Sequence, residues 1–436
     1  MITLDLYRPY VDQIESIVLN LLGSNYVTGY DTEVSNILNG QPSQVIRTLV
    51  PLGQLRKSGI FFTNHLLADK LIEPLRGDIE SGSTITDPTC GVGNLLIACA
   101  KLLPVEGDIN STLQLWGAKL KGFDLHSELV RAAKIRLVLL AIHRGAVSNK
   151  KISSLDHFFP HICAADGLSN GLDAKCIVIN PPYGMVDAPK QCTWASGRVS
   201  HAAVFLEKCV KEVLPDTKII ALLPDVLRTG TRYSRWRELI GSYAEILSIE
   251  IVGQFDRVTD VDVFILRLIK RSLPRIEKCW WNTGGKELQS KPIRTVGDIF
   301  NVHIGSVVPH RNPKKGRWYP YIHAKLLPPW TTIDIDSGFS KIRFGGTTFD
   351  PPFIVVRRTS RPGDKFRATA TLIIGEKPAA VENHLIVLQP RNGTLEVCEQ
   401  LLGLLKSACV TNWLDNRIRC RHLTISSISE LPWKLC

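Results

Sequence analysis

The stretch CIVINPPYGM, Cys176–Met185, sets an amide, two prolines and an aromatic ring directly behind four apolar residues. Asn180 offers a side-chain carbonyl, Pro181 a backbone carbonyl with no N–H beside it, and Tyr183 an aromatic face. Such a set can hold a planar polar group by accepted hydrogen bonds and stacking. Cys176–Ile179 is a short apolar run of the kind used by buried parallel strands, and Pro181 and Pro182 cannot extend its ladder. The strand therefore stops at Asn180, at the carboxyl end where open α/β sheets bind ligands. A proline pair by itself is ordinary punctuation; the position is what suggests chemistry.

Three more predicted strands end in acid. STITD ends at Asp87, KLKGFD at Asp124 and HICAAD at Asp166. Asp87 opens DPTCGVGNLL, where Gly91 and Gly93 allow a tight turn and close approach to a ligand before a helix begins. A lone G-x-G is a weak signal and lacks the third glycine of the dinucleotide fingerprint. An acid after the second strand can accept from both hydroxyls of a ribose, although one such acid alone is more often a helix N-cap. Four polar strand ends together are harder to ascribe to capping.

These ends need a sheet to align them. From Ser83, short apolar runs (STITD, KLKGFD, HICAAD, CIVIN, KIIALLP, ILSIEIV, DVFILRLIK) alternate with helical stretches such as SELVRAAKIRLVLLAIHRG and AAVFLEKCVKEVL. Strands separated by helices predict right-handed crossovers and a parallel, doubly wound α/β sheet of seven strands. Residues 1–54 read as a helical lead-in, with Val11, Ile14, Ile17, Val18 and Leu21 on one face. The catalytic domain is expected over 55–275, and CWWNTGGKELQSKP breaks the rhythm as a linker. A smaller α+β domain is expected over 290–436.

The net charge is +12, and residues 291–436 carry 21 Lys and Arg against 11 Asp and Glu, so nearly all the excess is carboxy-terminal. That asymmetry predicts a polyanion-binding module beside a near-neutral one. The longest apolar runs, such as Ile135–Ile142, fall far short of a bilayer span, and the first residues do not read as a signal peptide. Eleven scattered cysteines with no C-x-x-C pair argue for reduced core thiols and against a structural metal. A cytoplasmic protein with neither membrane nor metal partner is expected.

DPTCGVGNLL followed by INPPY resembles the paired signature of S-adenosylmethionine-dependent DNA amino-methyltransferases, in particular the adenine-N6 group of restriction-modification systems. GIFFTNHLLADKLIEPL, Gly59–Leu75, is similar to the family segment that closes over the cofactor's methionine end. The likeness covers roughly residues 55–272 and implies a Rossmann-like methyltransferase sheet. It implies Thr63 near the methionine moiety, Asp87, Pro88, Cys90, Gly91 and Gly93 in the cofactor loop, Asp124 on the ribose and Asp166 on the adenine amino group. Asn180, Pro181, Pro182 and Tyr183 would hold a flipped-out target base, with Phe255 packing on it from the other side. Asn64 stands where the family usually has proline, Leu95 and Leu96 where it often has Phe, and the Asp87 to Asp124 interval is lengthened.

The carboxy-terminal part looks more loosely like a target-recognition domain for double-stranded DNA. Its basic clusters supply Arg311, Lys314, Lys315 and Arg317, and then Arg357, Arg358, Arg361, Lys365 and Arg367, as candidate DNA contacts. The resemblance implies a bacterial or archaeal modification enzyme. Lacking a P-D…E-x-K nuclease pattern, it would act beside a separately encoded restriction endonuclease. Alternatives are cytosine N4, RNA or protein glutamine as acceptor, or an inert DNA-specificity protein.

Overall fold

The computed structural model describes residues 4–23, 31–51, 53–55, 62–147, 155–255, 261–272, 294–309 and 315–434. The chain divides into two compact units, Met1–Leu227 with Arg232–Gly284, and Arg228–Thr231 with Gly285–Cys436.

The first unit is built on β1 (Ile85–Asp87), β2 (Leu120–Asp124), β3 (Ile162–Ala164), β4 (Cys176–Ile179), β7 (Lys218–Pro224), β8 (Ala244–Gln254) and β9 (Asp262–Lys270). Their order is β3-β2-β1-β4-β7-β9-β8. The chain thus runs outward through β2 and β3 on one side of β1, then resumes on the other side at β4. That reversal opens a crevice at the carboxyl ends of β1 and β4, which pair in parallel with Ile85 opposite Cys176.

Every residue of β4 is buried, and the side chains alternate between two cores. Cys176 and Val178 join the cluster that also holds Val11, Ile14, Val34, Leu96 and Leu137. Ile177 and Ile179 join the opposite one, with Val204, Leu223, Trp236 and Phe264. This period of two is what a strand covered on both faces requires, and each buried aliphatic chain contributes about 1.5–3 kcal/mol. The amino-terminal helices Arg8–Gly23, Asp31–Leu38 and Gln41–Leu49 share the first cluster with the sheet.

The all-parallel expectation is corrected at one strand. β9 is antiparallel to both β7 and β8. Only seven residues separate the ends of β8 and β9, too few for a crossover helix, so the chain must return antiparallel. A short hairpin, β5 (Met185–Asp187) with β6 (Arg198–Ser200), also intervenes between β4 and the helix His201–Glu212. The lengthened interval before β2 folds as the helix Ile109–Lys119, capped by Asp108 and packed through Leu113 and Trp116.

The second unit is α+β. A five-stranded sheet, β10-β17-β14-β15-β12, comprises Phe300–Ile304, Leu385–Pro390, Phe353–Arg357, Ala370–Ile374 and Thr332–Asp334. Beside it lies β13-β11-β16, Lys341–Phe344, Arg317–Ile322 and Ala380–Val381. Helices Leu395–Leu405, Ala408–Arg417 and Ile425–Ser429 close its main core. Cys409 is disulfide-bonded, which departs from the expectation of uniformly reduced thiols. No described helix is long and apolar enough to cross a membrane. Among the described residues, no group of three or more His, Cys, Asp or Glu is arranged to hold a metal ion.

Candidate active site

Asn180 follows β4 directly, and its amide nitrogen donates to Thr63 Oγ1 at 2.9 Å. That bond turns the nitrogen toward Thr63 and sets the orientation of the accepting oxygen. Thr89 Oγ1 lies 3.3 Å from both the Asn180 carbonyl and Asp87 Oδ1, and the Thr89 N–H donates to the same carboxylate at 3.0 Å. The ends of β1 and β4 are thereby stitched together through one hydroxyl.

Asp87 is only 1% exposed, and burial pushes its carboxyl up to about 7 against the opposing bonds from Thr89. Asp124 is raised as well, by burial first, although the N–H groups of Gly91 (3.1 Å) and His126 (2.9 Å) stabilise its carboxylate. Asp166 is half-buried and accepts from Leu168 N–H at 2.9 Å and the Ser169 hydroxyl at 3.1 Å, closing its own turn.

One cavity is lined by Thr63, Asp87, Pro88, Cys90, Gly91, Asp124, Asp166, Asn180 and Pro182. Gly93 is not on its wall. Its φ is +81°, and a Cβ there would lie 2.8 Å from the Ala133 Cβ, so this glycine serves the turn and the close helix packing beneath the loop. Gly167, passed over in the sequence, has a stricter need: a Cβ would meet the Pro88 carbonyl oxygen at 1.9 Å. Pro181 is buried, and Tyr183 meets Phe255 edge-on with centroids 5.9 Å apart. Phe255 is 6% exposed and packs beside Tyr183 at the end of β8.

The cavity also takes Leu125, 58% exposed, together with Phe62, His126, Leu129, His201 and Phe205. The signal for Leu125 was its place immediately after the strand-end acid. Asn64, where the family has proline, caps the helix His65–Ile72 by accepting from Leu67 N–H at 2.9 Å. Behind the loop, Asn94 donates to the Thr63 carbonyl at 2.7 Å and accepts from Arg136 at 2.8 Å. Arg136 is 1% exposed and also donates to the carbonyls of Ile37, Leu38 and Val92. It ties the amino-terminal helices to the wall that carries Thr63.

The candidate DNA contacts divide. Lys315, Arg317, Arg361 and Lys365 are exposed, while Arg357 and Arg358 are half-buried, and Arg357 donates to the Leu327 carbonyl. Arg311 and Lys314 lie outside the described residues. Arg367 is corrected outright. It is 0% exposed, ion-paired with Asp415 at 3.0 Å and bonded to the carbonyls of Ile418 and Cys420, so it cannot reach a nucleic acid.

Comparison with known proteins matches residues 53–213 to the N-6 DNA Methylase family. Over 208 residues the chain is 27% identical to the modification methylase CviBIII of Paramecium bursaria Chlorella virus NC1A, a match covering 46% of each protein. The chain therefore spans about half the length of this curated relative. Among solved structures, the type IIG restriction endonuclease BpuSI aligns with 92% of this chain and 60% of its own at 14% identity, TM-score 0.44. The M protein of the type I restriction enzyme EcoKI aligns with 62% of this chain and 65% of its own at 14% identity, TM-score 0.37. The matched residues 53–213 carry both the DPTCGVG loop and the N-P-P-Y motif, and this stretch is similar to the N-6 DNA Methylase family.

Proposed function

We propose that this protein is a cytoplasmic, site-specific DNA methyltransferase of a restriction-modification system. It moves a methyl group from S-adenosylmethionine to the exocyclic N6 of an adenine flipped out of duplex DNA. The observation that carries this reading is the Asn180–Thr63 hydrogen bond, which sets the acceptor at the end of β4 on the wall that also bears Asp87 and Asp124.

The cavity suits the cofactor. Asp87 and Asp124 are carboxylates whose ionised forms burial disfavours, so each gains from a ligand carrying positive charge. Leu125, Leu129 and Phe205 give apolar surface for an adenine ring. Thr63 and Asp87 would hold the methionine end, Asp124 the ribose and Asp166 the adenine amino group. When bound, S-adenosylmethionine supplies an electrophilic methyl on a sulfonium.

The protein's task is to make a poor nucleophile attack in line. The lone pair of an adenine amine is delocalised into the ring. Asn180 Oδ1 and the Pro181 carbonyl accept its two N–H hydrogens, draw the nitrogen toward tetrahedral geometry and free the lone pair. Tyr183, braced by Phe255, offers the stacking surface that an extruded base needs. The basic second unit would hold the DNA, and any endonuclease would be a separate partner.

The test is to incubate the protein with S-adenosylmethionine and unmethylated DNA and weigh the digested nucleosides by mass spectrometry. N6-methyladenine is expected. N4-methylcytosine would keep the site and change the base, and no methylated nucleoside would refute the reading.

A further inference from the structure

We propose that residues 358–361 and 419–422, with His384 beside them, form one face of the second unit that grips the phosphate backbone of duplex DNA. The inference rests on the methyltransferase reading above and adds residues that the sequence clusters did not suggest.

Two segments distant in sequence make this face. Ser360 N–H donates to the Arg421 carbonyl at 2.9 Å and Leu423 N–H to the Arg358 carbonyl at 2.8 Å, pairing the segments antiparallel, with Thr359 opposite His422. Arg358 N–H donates to the His384 carbonyl at 2.9 Å, which brings a third segment alongside. Leu423 is buried, whereas Arg361, His384, Arg421 and His422 are exposed and Arg358 and Arg419 half-buried. The buried Arg367 now has a purpose. Its bonds to the Ile418 and Cys420 carbonyls and its pair with Asp415 pin down the segment that carries Arg419 and Arg421.

The nearby acids are three, one held by the buried Arg367 and two placed against residues of the face itself. Asp415 pairs with Arg367, Asp364 accepts from Arg361 N–H, and Glu382 accepts from Ala324 N–H and lies 3.2 Å from the His384 ring. The density of positive charge registers on His422, whose imidazole is held below its usual value by burial first and then by Arg358, His384 and Arg421. A line of phosphates laid along this face would meet the charges of Arg358, Arg361, Arg419 and Arg421. Arginines on paired backbone segments present that charge at fixed spacing, as phosphate contacts that set position require.

The experiment is fluorescence anisotropy of the full-length protein with a labelled mixed-sequence duplex of about 30 base pairs over a salt series. The Arg361→Ala/Arg421→Ala double variant should lower the log–log salt slope by about 2, near 0.9 for each phosphate no longer neutralised. Its S-adenosylmethionine affinity and melting midpoint should match wild type, since both side chains are exposed. The corresponding double lysine variant should recover the slope, because a point charge suffices for a phosphate. A double alanine variant that keeps the wild-type slope overturns this face and leaves the DNA reading standing. A wild-type protein that binds no duplex at any salt overturns both.

Discussion

Below pH 7, binding of S-adenosylmethionine should drive a proton off Asp87. The carboxyl is 1% exposed, and burial pushes it from 3.8 to about 7, with Asp124 adding repulsion and Thr89 opposing. The free protein therefore holds this proton at pH 6, whereas a bound cation favours the carboxylate. Affinity is full above pH 7 and falls as the pH drops through 7, by up to about tenfold per unit. The Kd at pH 5 should exceed that at pH 8 by roughly a hundredfold, and Asp124, raised in the same sense, adds to the trend. Calorimetry at pH 6 in two buffers of different ionisation enthalpy should report release of roughly 0.9 proton per cofactor. Asp87→Asn should bind more weakly at pH 8 and lose most of the pH dependence.

The same shift acts on stability with its own sign. A folded-state pKa near 7, above the unfolded value, makes this group destabilising as pH rises from about 4 to 7, by something on the order of 4 kcal/mol. Cofactor should accordingly raise Tm more at pH 8 than at pH 5.5. A wild-type Kd that stays flat from pH 5.5 to 8, with no buffer dependence, would refute the argument.

Asn180→Ala should leave cofactor binding largely intact while single-turnover methyl transfer falls by about 10²–10³, and a near-wild-type rate would remove Asn180 from the mechanism. Gly93→Ala forces a side chain into a positive-φ position 2.8 Å from the Ala133 Cβ. It should lose about 2 kcal/mol of stability, read from its denaturant midpoint, and weaken cofactor binding with it. Arg136→Met strips donors from three buried carbonyls and from Asn94. The expected loss is about 3 kcal/mol or more, read by urea unfolding, together with a raised Kd for S-adenosylmethionine; unchanged values of both would show that the tether does not matter.

What the sequence made legible follows from how far each residue's partners lie along the chain. Asp87, Asp124, Asp166 and Asn180 could be placed at strand ends because the apolar run before each fixes where its strand stops. The turn at Gly91 and Gly93 was readable for the same local reason. The antiparallel return of β9 was also local, since a seven-residue gap excludes a crossover helix, but alternation of strands and helices elsewhere masked it. Arg367 was misread because its fate is set by Asp415 and by carbonyls some fifty residues away. In sequence it was one more charge in a basic run. Arg136 offered a clearer sign, a lone guanidinium inside IRLVLLAI, yet the Ile37 carbonyl that holds it lies 99 positions upstream. A buried arginine needs several acceptors converging from different elements, and only the folded chain brings the ends of the amino-terminal helix and the cofactor loop to one guanidinium. The amino-terminal helices are therefore tied to this cavity through Arg136 and Asn94: Arg136 donates to Asn94, Asn94 holds the Thr63 carbonyl, and the Thr63 hydroxyl accepts from Asn180.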